Sequence, residues 1–124
     1  MKNAQTYLEE ANAAVPRISA EEAVAKHGTD NAVFIDVRDS GDIAKSGTIK
    51  GAHNVPRGFI EFAADPATDY HHKAFQKDAD LYLICGAGGQ AALAGKTLKD
   101  MGYTKVTNIG GFADWKKAGG PVAD

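Results

Sequence analysis

Leu81-Tyr82-Leu83-Ile84-Cys85-Gly86-Ala87-Gly88-Gly89-Gln90-Ala91 is the stretch on which the fold turns. Its continuous apolar run, rather than an alternating one, predicts a strand buried on both faces of a parallel sheet. The strand ends at a cysteine, a glycine-rich turn follows, and a helix then runs from about Gly89 to Met101. Along that helix Ala91, Ala94, Gly95, Leu98 and Met101 share one face, while Lys96, Lys99 and Asp100 point away; Gly102 ends it. In open α/β sheets ligands bind beyond the carboxyl ends of the strands. A helix N-terminus there presents unpaired N–H groups and a partial positive charge, which favours a thiolate. The glycines let successive N–H groups converge as an anion nest. Cys85 thus has two readings at this point: a nucleophile in a solvent-facing loop, or a small buried hydrophobe at a strand end.

Outward from this stretch, the pattern repeats. Val33-Phe34-Ile35-Asp36-Val37 and Val106-Thr107-Asn108-Ile109 are further buried strands, and Asn54-Val55 is a short one before Pro56. Ser19 with Glu22 forms a capping box and predicts a helix from about Ala20 to Lys26, ended by His27-Gly28. Leu8, Ala11 and Val15 recur at helical spacing and Pro16 stops the run, so residues 1–16 are expected as an accessory helix. A last helix carries Phe112, Trp115 and Lys116 and ends near Gly119-Gly120-Pro121, leaving 121–124 as a tail. Phe59 to Asp80 is expected as a short helix followed by a surface loop. Strands alternating with helices predict an α/β domain with helices on both faces of a parallel sheet.

Composition excludes several classes. The 124 residues are 44% apolar and 24% charged, a globular balance and one domain's length. No apolar run approaches the ~20 residues of a membrane span, and the first residues lack the apolar segment of a secretory signal. The expectation is therefore a cytoplasmic protein with no membrane partner. Fourteen basic against sixteen acidic residues give a net charge of −2, which argues against general nucleic-acid binding. A single cysteine excludes an intramolecular disulfide and a Cys-rich zinc site. His53, His71 and His72 show no ligand spacing, so no metal is expected. Gly86-Ala87-Gly88-Gly89-Gln90-Ala91 fits a dinucleotide fingerprint, but the next strand offers Asn108 where a ribose-binding acid belongs, and the fingerprint normally sits on the first strand.

Four motifs in order give the chain a specific resemblance, from about Arg17 to Gly120, to the single-domain rhodaneses, a sulfurtransferase family. Asp36-Val37-Arg38 matches the family's Asp-Val-Arg. Gly47-Thr48-Ile49-Lys50-Gly51-Ala52-His53-Asn54-Val55-Pro56 resembles its Gly-His-Ile-x-Gly-Ala-x-Asn-Ile-Pro. Cys85 to Gln90 stands where the active loop Cys-x-x-x-x-Arg belongs, and Gly110-Gly111-Phe112-Ala113-Asp114-Trp115 resembles the closing Gly-Gly-x-x-x-Trp. The chain departs from the pattern at Gln90, where the family has arginine, at Ala87-Gly88 for a common Ser-Gly, and at Thr48 for histidine. The loop of the related cell-cycle phosphatases is one residue longer and ends in arginine. Neither Gln90 nor Ala91 supplies that charge, which a phosphate monoester would need.

The resemblance implies a central parallel sheet of about five strands and sulfane-sulfur transfer through a persulfide on Cys85. It implies no cofactor. The donor would be a small anion such as thiosulfate, or a polysulfide or persulfide; the acceptor would be a thiol. Gly86, Ala87, Gly88, Gly89, Gln90 and Ala91 would line the substrate site. Arg57, just after Pro56, would border it and could supply the missing charge, unless Glu61, four residues on, pairs with it. Asp36 and Arg38 would be scaffolding. The alternative the resemblance leaves open is a catalytically weak module that senses persulfides or binds a partner protein.

Overall fold

The computed structural model describes residues 1–124. Four parallel strands make the central sheet: β1 (Ala32–Asp36), β3 (His53–Asn54), β4 (Asp80–Cys85) and β5 (Val106–Gly111), in the order β3-β1-β4-β5. The continuous apolar strands β1 and β4 lie at its centre, where both faces are covered, and β5 lies at one edge. β1 pairs with β4 from Ala32↔Asp80 to Asp36↔Ile84, and β4 pairs with β5 from Leu81↔Val106 to Cys85↔Gly111. Strand pleating then sorts the side chains. Leu81, Leu83 and Cys85 join one core cluster with Ile35, Val37, Ala91, Ala94 and Leu98. Ile84 joins a second with Phe34, Ile109, Phe112 and Trp115.

Helices cover both faces. α1 (Ala4–Ala14), α4 (Ile60–Ala64) and α5 (Gly89–Asp100) lie over the first cluster; α2 (Ala20–Lys26) and α6 (Phe112–Lys117) lie over the second. The capping box of α2 is formed in both directions, with Glu22 N–H donating to Ser19 Oγ at 3.1 Å and Ser19 N–H to Glu22 Oε1 at 3.2 Å. α1 packs its buried Ala11 inward and runs alongside α5.

Four features depart from the sequence reading. The sheet has four strands rather than five. The remaining two, β2 (Thr48–Ile49) and β6 (Val122–Ala123), form a separate antiparallel pair. Residues 121–124 are thus not a loose tail: Lys50 N–H and Trp115 Nε1 both donate to the Pro121 carbonyl at 3.0 Å and draw the end of the chain across to β2. The segment after α4 is not purely a surface loop, because Ala74, Phe75 and Ala79 are buried. Phe75 meets Tyr103, whose hydroxyl donates to the Ala64 carbonyl at 2.6 Å. Finally, α3 (Ser40–Ser46) has no buried residue, and so no apolar periodicity announced it.

Candidate active site

The chain leaves the sheet at Cys85, turns through Gly86, Ala87 and Gly88, and enters α5. Gly88 has φ +104°, a left-handed conformation that disfavours any side chain. This turn folds the first residues of α5 back over the strand end. The Cys85 sulfur consequently accepts two backbone N–H groups, from Gly88 at 3.0 Å and from Ala91 at 3.4 Å. Both donors belong to the unpaired first-turn region of the helix. Cys85 is only 1% exposed, which corrects the expectation of a solvent-facing cysteine; the exposed crest of the loop is Gly86 and Ala87. The side chain is buried among apolar residues, yet its sulfur sits in a cradle of two backbone N–H donors.

Around this loop the carbonyls are held as firmly as the N–H groups. Asn108, on β5 and 1% exposed, donates from Nδ2 to the Gly88 carbonyl at 2.9 Å and accepts Gly110 N–H on Oδ1 at 2.8 Å. Arg17 Nη2 donates to the Ala87 carbonyl at 3.2 Å. Backbone bonds align Arg17 with β5: Asn108 N–H donates to Pro16 and Ile18 N–H to Asn108. Neither Arg17 nor Asn108 is among the site residues expected from sequence. Asn108 stands on the next strand, and nothing in a lone arginine after a proline announces its reach.

Asp36 and Arg38 lie beside the loop at the end of β1. The carboxylate is fully buried and the guanidinium nearly so. Arg38 Nε and Nη2 donate to Asp36 at 3.0 and 2.8 Å, and Thr48 Oγ1 donates to the same carboxylate at 2.7 Å. Arg38 also donates to the Ser46 hydroxyl and the Gly47 carbonyl, and stacks over the Phe112 ring at 4.7 Å. Its hydrogen bonds to Asp36 raise the Arg38 pKa against the opposing effect of burial, so this charge is permanent, and it is close enough to interact with Cys85. Thr48, where the family has histidine, thus belongs to the scaffold.

Of the expected site residues, Cys85, Gly88 and Ala91 meet at the sulfur. Gly86 and Ala87 form the crest, Gly89 begins α5, and Gln90 is exposed on its first turn. Arg57 does not join them. Its guanidinium pairs with Glu61 at 3.2 Å and donates to Thr97 Oγ1 at 3.1 Å, two helical turns beyond the loop. The Glu61 contact is the i,i+4 pairing weighed from the sequence. The histidines are engaged elsewhere: His71 with the Phe75 carbonyl, His72 with Ala74 N–H and against the His53 ring.

A strand-end cysteine thus lies under a glycine turn, beside a buried Asp-x-Arg pair. Residues 19–118 match the model of the rhodanese-like domain. The chain belongs to the rhodanese-like domain family. The solved structure of a Rhodopseudomonas palustris protein of unknown function, described as a candidate tyrosine phosphatase, is similar along its whole length. The identity is 36%, with 99% of this chain and 96% of that one covered at a TM-score of 0.94. The polysulfide-sulfur transferase homodimer of Wolinella succinogenes is 26% identical, with 97% of this chain and 86% of that one covered at a TM-score of 0.74. YrkF of Bacillus subtilis, provisionally named a sulfur carrier protein, is 29% identical over 103 residues, or 82% of this chain and 51% of YrkF. This rhodanese-like chain therefore spans about half the length of that curated relative. The family and these relatives support a role in sulfur transfer.

Proposed function

We propose that this rhodanese-like domain moves sulfane sulfur through a persulfide on Cys85. The observation that carries the reading is the pair of N–H groups, from Gly88 and Ala91, converging on the sulfur. They stabilise a thiolate before reaction and a persulfide anion after it, as an oxyanion hole stabilises oxygen. The Cys85 thiolate attacks the outer sulfur of thiosulfate; the S–S bond of the donor breaks and sulfite leaves with its electron pair. With a polysulfide, the leaving group is the shortened polysulfide anion. An acceptor thiolate then attacks the outer sulfur of the persulfide and releases the Cys85 thiolate. The covalent intermediate divides one transfer into two easier ones, and every bond made or broken lies between sulfur atoms. The residues lining the substrate are the loop Gly86–Gln90 with Ala91; Arg57 is left out because it is held against α5.

Intact mass after exposure to thiosulfate, and separately to polysulfide, tests the reading. One sulfur atom and no more should be added, since Cys85 is the lone thiol. Cyanide or a thiol should remove it, and Cys85→Ser should gain nothing. An unchanged mass with both donors would sink the proposal. Hydrolysis of an aryl phosphate abolished by Cys85→Ser would favour a phosphatase instead, the activity suggested for the Rhodopseudomonas relative. A persulfide that forms but never passes to a thiol would indicate a sensor or carrier rather than a transferase.

A further inference from the structure

Arg17 lies two residues before the span that matches the family, yet it touches the active loop at its centre. Its guanidinium donates to the Ala87 carbonyl at 3.2 Å and packs against two glycines: a Cβ at Gly88 would collide with it, and one at Gly110 would lie 2.9 Å from Nη2. The carbonyl of Ala87 and the N–H of Gly88 belong to one peptide unit. That unit is trans, so the two groups point in opposite directions. On one side of the peptide is the arginine; on the other, 3.0 Å away, is the Cys85 sulfur. A cation on a carbonyl polarises the amide and strengthens its N–H as a donor, the cooperativity seen in chains of hydrogen bonds. We propose that Arg17 is a positioning residue for Cys85, holding and polarising the Ala87–Gly88 peptide so that its N–H binds the sulfur in anionic form. In this chain a guanidinium behind the loop does part of what an arginine within the loop would do at position 90. The inference rests on the sulfur-transfer reading only for the use made of the thiolate.

The other charges around the sulfur leave this role open. From β1 comes Arg38, already shared with Asp36. β5 and the first turn of α5 carry no ionisable side chain, and α1 brings Leu8 toward Gly89. Just before α4 and on it, Arg57 and Glu61 are paired with each other. Glu21 on α2 and Asp114 and Lys117 on α6 line an open depression with Arg17. None of these carboxylates lies within ion-pair distance of its guanidinium, so its charge is not neutralised by a direct partner.

The test is the far-ultraviolet absorbance of the single thiolate as a function of pH, with Cys85→Ser subtracted, in the full chain and in Arg17→Gln, Arg17→Met and Arg17→Lys. This readout needs no access to the buried sulfur and no sulfur donor. Where the thiolate is the minor species, both neutral variants should show up to roughly fourfold less of it than the parent. All proteins should converge at alkaline pH, where every thiol is ionised. Arg17→Lys, which keeps the charge, should recover most of the difference. Two neutral variants are used so that failure of one to fold leaves the other. Equal thiolate fractions in the parent and a folded neutral variant would overturn the inference. So would a lysine variant as depleted as the neutral ones, which would make the guanidinium mere packing. A normal relay in a protein that takes up no sulfur would refute the proposed function and leave this inference standing; active sulfur transfer with no effect of Arg17 would do the reverse.

Discussion

At residue 90 the chain has an exposed carboxamide where its family has a guanidinium. A charge-assisted hydrogen bond contributes about 1.5–3 kcal/mol, against about 1 for a neutral one. The deficit of about 0.5–2 kcal/mol corresponds to about two- to thirtyfold in capture of a dianionic donor. Gln90→Arg should therefore raise kcat/KM for thiosulfate by that factor, with little effect on less charged polysulfides and a gain that shrinks as salt rises. Steady-state kinetics at low and high salt check this. No gain at low salt would mean that charge at this position does not limit donor capture. At the same scale, burial of Cys85 and hydrogen bonding of its sulfur are not alternatives. The residue is as buried as the core leucines, and its sulfur is still held by two amide donors.

At the scale of elements, the segment between α4 and β4 shows how a polar stretch becomes part of the fold. His72 Nδ1 accepts Ala74 N–H at 3.0 Å, its own N–H reaches the Ala63 carbonyl at 2.8 Å, and Phe75 is thereby fed into the core. Burial lowers the His72 pKa from 6.5, with further repulsion from His53, Lys73 and His71, so the folded protein prefers the neutral ring that the Ala74 bond requires. The unfolded chain takes up a proton more readily, so stability falls with acidification. The contribution is full above the unfolded value of 6.5 and is lost as pH drops below it through the lowered folded value. Urea unfolding of the parent should show that loss between neutral and mildly acidic pH. His72→Asn, whose side-chain oxygen can accept the same N–H, should show a shallower dependence. An unchanged slope would assign the acid sensitivity to other groups.

Across the whole molecule, the two faces of the sheet are closed by different means. One is covered by α1, α4 and α5. The other depends on Trp115, which is 1% exposed, packs edge-on to Phe34 at 5.5 Å, and donates to the Pro121 carbonyl. The same side chain thus fills the second core cluster and draws β6 to β2. Trp115→Ala should cost about 3–5 kcal/mol, read as a lower urea midpoint. It should also speed amide exchange at Ala123 and Lys50 before the sheet itself opens. Exchange that changes uniformly across the protein would show that β6 is not held independently.

The sequence by itself determined the class of fold, the place of the loop and the candidate nucleophile. Those rest on local signals: apolar runs at Val33–Val37 and Leu81–Ile84, a capping box at Ser19, and a glycine turn after Cys85. Each is legible because the residues that cause it are neighbours in the chain. Only the tertiary structure decided that Cys85 is buried, that Arg57 turns to Glu61 and Thr97, and that Arg17 and Asn108 hold the loop from behind. Arg17 and Ala87 are 70 positions apart, and Asn108 and Gly88 are 20. A side chain's reach across such separations depends on strand register, and here the bridge between Arg17 and Asn108 sets it. The pairing of β6 with β2 follows the same rule, since two-residue strands carry no pattern of their own and form only where the packing of Trp115 has already brought their backbones together.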